Sequence, residues 1–175
     1  MATFKSIIAW CEKGGIGFKG GIPWTLKSDL ARFAKITRGD GNNAVLMGRK
    51  TWDSLPCKPL KYRHNIIIST TLKKVPDNCS VFNSMADAIS FCGNNTFKDV
   101  WIIGGSSIYD EAARTLPLKE VYVTEIIKDY RCDTFVGGDF VNMLSKMIIQ
   151  KCDPIYDDEK EYMKIGNYVT YVKEE

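Results

Sequence analysis

Short apolar runs alternate with longer amphipathic stretches over most of the chain. An apolar run of strand length predicts a strand that is covered on both faces, as in a parallel sheet. Such a sheet needs helices on both sides. The runs predicted to be strands are residues 4–11, 43–47, 64–69, 80–82, 99–103 and 120–127.

The stretches between these runs favour helices and loops. Residues 25–36 repeat leucine and phenylalanine near helical spacing, and Thr25 and Ser28 are both candidate caps for this helix. Residues 12–23, which end in Pro23, are predicted to form a glycine-rich loop before it. The other predicted helices are residues 48–54, 85–92 with Ser84 as cap, and 106–114.

The pattern changes towards the C-terminus. Residues 146–152 and 162–172 are predicted strands joined by an acidic loop, which indicates a hairpin rather than another crossover. The whole order predicts one α/β domain over residues 1–175, with a largely parallel sheet and an antiparallel edge.

Composition narrows the class of protein. The 175 residues suit one domain, and 45% apolar with 26% charged residues is ordinary for a soluble globular protein. A net charge of +3 is too small to demand a nucleic-acid partner. The apolar residues 6–11 are too few for a secretory core or a membrane span.

The cysteines predict neither a metal site nor disulfides. There are 6 cysteines without a C-x-x-C pair, and His64 is the single histidine, so no zinc-ligand pattern is present. A chain of this length builds a core without covalent links. Reduced thiols in a cytosol-like compartment are therefore expected.

One glycine pattern points to a dinucleotide-binding turn, but its neighbours oppose that interpretation. Residues 15–20 fit G-x-G-x-x-G, and Asp40 lies about 20 residues further on, where such a turn requires an acid. In that turn the last glycine lies inside a helix. Gly21 and Pro23 prevent a helix here, so the glycines are interpreted as part of a mobile loop.

Five short motifs occur in order along the chain and resemble those of the dihydrofolate reductase family. The resemblance extends from about residue 6 to residue 135 and is carried by the motifs together rather than by any one. The motifs are GIG at 15–17 with IPW at 22–24 and DL at 29–30, VLMGRKTW at 45–52, PL at 59–60 with RHNIIIS at 63–69, VWIIGGSSIY at 100–109, and VT at 123–124 with DTF at 133–135.

This resemblance implies both a fold and an activity. The fold is a single-domain, three-layer α/β structure in which about four helices flank a mostly parallel sheet of about eight strands with a C-terminal antiparallel hairpin. The activity is NADPH-dependent reduction of 7,8-dihydrofolate to 5,6,7,8-tetrahydrofolate in one-carbon metabolism. A cytoplasmic monomer that binds antifolates such as methotrexate is implied, without a metal, membrane or nucleic-acid partner.

Asp29 is the candidate acid. On the residues alone, it is either a first-turn acid that favours the helix dipole or a carboxylate on an apolar face that needs a partner. The resemblance implies that Asp29 binds the 2-amino group and N3 of a pterin and helps to protonate N5. It also implies that Trp24 holds a water near Asp29, that Thr124 hydrogen-bonds Asp29, and that Tyr109 lies near the nicotinamide.

The resemblance also implies a substrate cleft. The backbone carbonyls of Ile7 and Ile103 would accept hydrogen bonds from the 4-amino group of inhibitors, and Arg63 would pair with the α-carboxylate of the glutamate tail. On composition alone, the apolar members are equally core residues and Arg63 is equally a solvated surface charge. The apolar walls implied are Ile22, Leu30, Phe33, Leu55 and Leu60.

The candidate cofactor site combines a physical argument with the resemblance. Gly104 and Gly105 follow a buried strand and precede a helix, so free backbone N–H groups there form an anion site. The resemblance implies a cis peptide between these glycines, and Arg49 and Ser69 as contacts of the NADPH 2′-phosphate. The remaining implied contacts are Ala9, Ile16, Gly48, Lys50, Thr51, Thr70, Ser106, Ser107, Ile108 and Tyr109.

Three positions depart from the family pattern. Thr70 replaces a frequent basic residue, which leaves the preference for NADPH over NADH open. Tyr62 replaces the usual glycine before Arg63 and could shift that arginine. Residues 136–138 (VGG) lack the usual proline.

Two other functions fit parts of this pattern. A pyrimidine reductase of the same architecture would share the Gly104–Gly105 site but would not need Trp24 with Asp29, or Arg63. A catalytically inactive domain that binds RNA or a protein partner would keep the fold, because fold alone does not fix function. The modest charge and the lack of an aromatic-basic motif oppose it.

Overall fold

An eight-stranded sheet runs through the centre of the computed structural model, which describes residues 1–175. A separate two-stranded ribbon, β2 with β8, lies outside it. The strands in chain order are β1 (Thr3–Trp10), β2 (Gly15–Gly17), β3 (Ala44–Gly48), β4 (His64–Ile68), β5 (Cys79–Phe82), β6 (Asp99–Gly104), β7 (Glu120–Ile126), β8 (Thr134–Phe135), β9 (Ile148–Tyr156) and β10 (Lys164–Val172).

The sheet order is β5-β4-β3-β6-β1-β7-β10-β9. Neighbouring strands from β5 to β7 are parallel, whereas β10 is antiparallel to both β7 and β9. The predicted mostly parallel sheet with a C-terminal antiparallel hairpin is therefore confirmed. Every predicted strand is present, and most bounds shift by one or two residues.

Two apolar layers cover the sheet, because side chains of a strand alternate between its faces. In β3, Leu46 joins a large cluster with helices on one face, while Val45 and Met47 join a second cluster on the other face. The helices are α1 (Lys27–Arg38), α2 (Arg49–Ser54), α3 (Met85–Gly93), α4 (Ser106–Thr115) and α5 (Gly138–Leu144).

The layers follow from this alternation. Helices α3, α4 and α5 contribute buried residues to the large cluster, and α1 and α2 contribute to the second one. This is the expected three-layer arrangement. None of the helices is long and apolar enough to cross a membrane.

The expected helix count of about four is corrected to five by α5. Gly137 is its N-cap residue and Gly138 its first helical residue, and such a start gives little helix propensity, so the sequence pattern did not predict it. Tertiary contacts stabilise it instead. Phe140 is fully buried, and its backbone N–H donates to Oδ1 of Asp110 in α4 at 2.9 Å.

The start of α1 is also corrected. The helix begins at Lys27, and neither Thr25 nor Ser28 caps it, because Leu26 occupies the cap position without a side-chain hydrogen bond. Leu26 is buried there, which fixes the chain just before the helix. The backbone N–H of Ser28 donates to Oδ2 of Asp158, in the β9–β10 loop, at 3.3 Å. The Ser84 cap of α3 is confirmed, since its side chain accepts from the Asp87 N–H.

The glycine-rich loop contains more regular structure than expected. Residues Gly15–Gly17 form β2, which pairs antiparallel with β8. No helix opens at residues 15–20, in agreement with the rejection of the dinucleotide-binding turn. The hairpin strand β9 extends past Pro154, which an edge strand tolerates because its outer N–H groups face solvent.

Gly137 and Gly138 offer a matched pair for testing how α5 is held. A Cβ at Gly137 would overlap the carboxylate of Asp110, whereas a Cβ at Gly138 would meet nothing within 4 Å. We predict that Gly137→Ala costs about 1–3 kcal/mol of unfolding free energy, because Asp110 must release the Phe140 N–H. Gly138→Ala should be neutral or stabilising by up to about 1 kcal/mol. Urea unfolding checks both, and equal midpoints for the two variants would contradict this account.

Candidate functional site

Strands β1 and β6 stop pairing before they reach the carboxyl edge of the sheet. These strands pair only from Thr3 with Asp99 to Ser6 with Ile102. Beyond that point β1 stays paired with β7 as far as Trp10, but it has no partner in β6. Ligands of open α/β sheets bind in crevices at the carboxyl ends of strands.

Tyr109 of α4 contacts β1 near this point. Its hydroxyl donates to the backbone carbonyl of Ile7 at 2.8 Å, and the side chain is buried. Burial raises the pKa of Tyr109, so the hydroxyl stays protonated and keeps this bond. The structure therefore places Tyr109 and the Ile7 carbonyl together, although the sequence resemblance implied separate roles for them.

Asp29 lies on the face of α1 that meets β7. Its Oδ1 accepts a hydrogen bond from the Thr124 hydroxyl at 2.7 Å, as predicted, and its second oxygen has no hydrogen-bond donor in the chain. Burial raises the pKa of Asp29, while the Thr124 hydrogen bond and the charge of Arg32 lower it in part and Asp158 adds to the rise. The carboxyl is thus half-buried, held on one side and free on the other.

Arg32 was not predicted as part of the site. Its guanidinium lies 4.1 Å from the ring centroid of Tyr168 and 5.7 Å from that of Tyr122. Tyr168 is the cross-strand partner of Thr124. Arg32, which contacts Tyr168, and Asp29, which contacts Thr124, therefore lie side by side against two neighbouring strands. The cation is therefore positioned to favour the ionised form of Asp29.

Trp24 is 9% exposed and belongs to a third core cluster at this edge of the sheet. Its ring centroid lies 5.4 Å from that of Tyr130. Core packing, the plain alternative to its predicted role, is therefore present. The water-holding role predicted for Trp24 stays a prediction.

The apolar residues assigned to the cleft fall into two groups. Five of them share the α1 and α2 side of the sheet, where they belong to or pack against the second cluster. Ile22 and Leu30 are each 58% exposed and belong to none of the core clusters. The first group is Ile7, Phe33, Leu55, Leu60 and Ile103.

Arg63 is only 4% exposed, so the interpretation as a solvated surface charge is wrong. Its Nε donates to the Lys61 carbonyl at 2.9 Å, and Nη1 donates to the Thr37 hydroxyl at 2.8 Å. Burial, with a further contribution from Arg38, lowers the pKa of Arg63 to about 10. No carboxylate of the chain pairs with this cation, so no ion pair within the chain neutralises its charge.

Tyr62, which stands where the family pattern has glycine, has a backbone conformation that favours glycine. Its φ is 62°, in the left-handed region that disfavours a bulky residue. The ring is exposed, and the guanidinium of Arg38 lies 5.2 Å from its centroid. The turn is therefore preserved, and Arg63 follows it in a fixed, hydrogen-bonded position.

Two helix N-termini converge at the ends of the adjacent strands β3 and β6. The Gly104–Gly105 peptide is cis, as predicted, and α4 follows it without a side-chain cap. Helix α2 follows Gly48, also without a side-chain cap. A Cβ at Gly48 would lie 3.1 Å from Ile108, and one at Gly105 would lie 3.6 Å from Thr51. The two turns therefore present uncapped N–H groups to one region.

The other predicted cofactor residues differ in their exposure and in the bonds that they already make within the chain. Arg49 already pairs with Asp53 at 2.6 Å. The Ser69 hydroxyl accepts from the backbone N–H groups of Thr71 and Leu72, and the Ser106 hydroxyl donates to the carbonyl of Phe135. Lys50, Thr70 and Ser107 are exposed, whereas Ala9 and Ile16 are partly buried.

The site residues that could not be predicted from the sequence mostly contact residues that are far from them along the chain. Thr37 meets Arg63 across 26 positions, and Asp158 meets Ser28 across 130. Arg32 gave a usable signal, because it lies three residues after Asp29 and so shares its side of the helix. No group of three or more His, Cys, Asp or Glu side chains is arranged to hold a metal ion.

Fold and site together are those of an α/β protein that carries a half-buried carboxylate and uncapped helix N-termini along one edge of its sheet. Comparison with known proteins gives the family. The dihydrofolate reductase family model matches residues 3–169, and the chain belongs to that family.

Curated relatives named dihydrofolate reductase support this membership. The Drosophila melanogaster protein is 37% identical over 144 residues, which cover 77% of this chain and 79% of the relative. The Heliothis virescens protein is 41% identical over 141 residues, covering 74% and 76%. The Aedes albopictus protein is 33% identical over 183 residues, covering 98% and 95%.

Proposed function

We propose that this enzyme reduces dihydrofolate to tetrahydrofolate with NADPH as the reductant. Family membership supports the reaction, and the Asp29 carboxyl supports the assignment of the cleft. This carboxyl, bound by Thr124 through one oxygen and free at the other, is the observation that carries the proposal.

The substrate binds through one polar edge and one flat apolar face. The two oxygens of Asp29 accept from the 2-amino group and from the N3–H of the pterin, because a carboxylate matches an amidine-like pair of donors. Oδ1 can do so while it accepts from Thr124, since each carboxylate oxygen has two lone pairs. Phe33 and Leu30 of α1 cover the rings, and the exposed side chain of Leu30 gains burial on binding. Arg63 pairs with the tail carboxylate, because it is buried and has no carboxylate partner in the chain.

Asp29 also supports proton delivery to N5. Burial raises its pKa, so a larger fraction of the carboxyl carries a proton near neutral pH than for an exposed aspartate. The proton reaches N5 from Asp29 or from a water that Asp29 orients. Thr124 fixes the carboxyl during this step, since its hydroxyl donates to Oδ1 at 2.7 Å.

The cofactor region fits a dinucleotide phosphate. The uncapped N–H groups of Ser106, Ser107 and Ile108 in the first turn of α4 would bind the pyrophosphate. Gly104 has φ of 119°, and a Cβ there would lie 3.2 Å from the Tyr109 ring, so this approach requires glycine. NADPH, when bound, supplies the hydride.

The preference for NADPH over NADH rests on Arg49 and Ser69. Arg49 is exposed and its partner Asp53 is its own helix neighbour, so a 2′-phosphate can replace that exposed ion pair at small cost. Ser69 is tied into the turn that follows β4, where it shapes the backbone beside the phosphate. Lys50 adds a further exposed cation at this end.

Replacement of the acid tests the proposed reaction. We predict that Asp29→Asn lowers turnover with dihydrofolate by about 100-fold or more, since a neutral amide neither matches the pterin edge nor supplies a proton. NADPH binding, measured by fluorescence titration, should stay within about twofold of wild type. NADPH oxidation at 340 nm, with and without methotrexate, checks turnover.

Asp40→Asn is the matched control, because Asp40 is exposed, pairs with Lys98 and lies outside the cleft. It should behave as wild type. Cofactor binding without absorbance loss in the wild-type protein would favour the inactive binding domain. Equal loss of turnover and NADPH affinity in Asp29→Asn would contradict the role of Asp29.

Arg63 separates a folate reductase from a pyrimidine reductase of the same architecture. We predict that Arg63→Leu raises the KM for dihydrofolate about 30-fold, equivalent to about 2 kcal/mol for a lost charge-assisted pair. A dihydropterin without the glutamate tail should be affected by less than about twofold. Arg63→Lys, which keeps the charge but not the planar fork, should fall between. An equal rise in KM for both substrates would contradict the proposed contact between Arg63 and the glutamate tail.

We further propose, on the family resemblance, that the enzyme acts as a cytoplasmic monomer in one-carbon metabolism. Antifolates with a 4-amino group would bind at the same carboxylate. That amino group would donate hydrogen bonds to the carbonyls of Ile7 and Ile103. The Ile7 carbonyl also accepts from the Tyr109 hydroxyl.

A further inference from the structure

Two cysteine thiols lie in contact behind the β2–β8 ribbon. Sγ of Cys11, the residue after β1, lies 3.6 Å from Sγ of Cys132, in the segment between β7 and β8. Both cysteines are free. A disulfide bond is ~2.05 Å long, so the sulfurs need to approach by about 1.6 Å to bond.

The backbone around the two thiols holds them face to face. The N–H of Val136 donates to the Gly14 carbonyl at 2.9 Å, and the N–H of Asp133 donates to the Gly17 carbonyl at 3.0 Å. These bonds join the two chain segments on either side of the sulfurs. The segments therefore keep their separation whether or not the sulfurs are bonded.

Gly15 has no side chain, and this leaves room for the two sulfurs to contact each other. A Cβ at this position would lie 2.7 Å from the Cys132 sulfur and 2.9 Å from the Cys11 sulfur. Cys11 belongs to the same small cluster as Trp24, and Cys132 packs against that cluster. The pair thus adjoins the residues proposed to surround Asp29, without touching the carboxyl itself.

We propose that Cys11 and Cys132 form a redox-active dithiol that a low-molecular-weight disulfide converts into a cystine bridge. The Cys132 thiolate attacks one sulfur of the oxidant and displaces a thiol, which leaves a mixed disulfide on Cys132. The Cys11 thiolate then attacks the Cys132 sulfur and displaces the second thiol. The protein loses two electrons and two protons, and the oxidant is reduced to two thiols.

Accessibility sets the order of the two attacks. Cys132 is half-buried, whereas Cys11 is 2% exposed and reaches only a sulfur already beside it. Burial, together with the neighbouring Cys11, raises the pKa of Cys132 to about 11. The first step is therefore slow at neutral pH and becomes faster as the pH rises, while the second step is intramolecular.

The bridge would connect two elements that border the cleft. Cys11 follows β1, and Cys132 leads into β8, where the Phe135 carbonyl accepts from the Ser106 hydroxyl at 2.7 Å. The two cysteines are 121 positions apart, so the bridge removes a large loop entropy from the unfolded chain. We expect the melting temperature to rise by about 10 °C on oxidation.

The test uses oxidised glutathione as the probe on the full-length protein at pH 8.5, followed by alkylation, intact mass measurement and peptide mapping. The expected product has lost two hydrogen atoms, contains a linked Cys11–Cys132 peptide and melts at higher temperature. Cys57→Ser with Cys152→Ser, which removes two exposed cysteines, should form the same bridge. Cys132→Ser should form no bridge and show no rise in melting temperature.

Other products overturn the proposal. A stable glutathione adduct on Cys132 beside an alkylated Cys11 would mean that Cys11 cannot reach it. A bridge that includes Cys57 or Cys152, or a linked Cys11–Cys132 peptide without a rise in melting temperature, would also contradict it. The peptide map of the wild-type protein decides the first two points even if Cys132→Ser folds poorly.

Discussion

The proposed mechanism depends on the hydrogen bond from the Thr124 hydroxyl to the Asp29 carboxyl. It connects α1, which carries the acid, to β7, which stays beside β1 after β1 has left β6. A half-buried carboxyl is costly unless it is hydrogen-bonded, so this contact stabilises the acid in its half-buried position. With one oxygen held, the other can face a ligand in a fixed direction.

The same edge of the sheet also brings two helix N-termini together. Because β3 and β6 end side by side, the helices that follow them begin side by side, and their uncapped N–H groups converge. The Asp29 carboxyl and the two helix N-termini thus lie along one edge of the sheet, where the Tyr109 hydroxyl donates to the Ile7 carbonyl.

Much of the fold could be predicted, because buried strands appear as apolar runs and their order fixes the class. What escaped depends on contacts between distant residues. Helix α5 opens on Gly137 and Gly138 and depends on Asp110, and the start of α1 depends on buried Leu26. For the site, resemblance supplied Asp29 with Thr124, whereas periodicity alone left two explanations for the acid. The burial of Arg63 could not be inferred, since its partner Thr37 is remote in sequence.

The most direct measurement of the central claim is a carbon-13 NMR titration of the Asp29 carboxyl in the ligand-free protein, assigned by its absence in Asp29→Asn. The account predicts a midpoint above that of an ordinary aspartate, since burial dominates, and a further rise in Arg32→Gln, which removes the nearby cation held over Tyr168. A midpoint at or below the ordinary value, unchanged in Arg32→Gln, would contradict the claim that Asp29 is a half-buried acid held ready for the substrate.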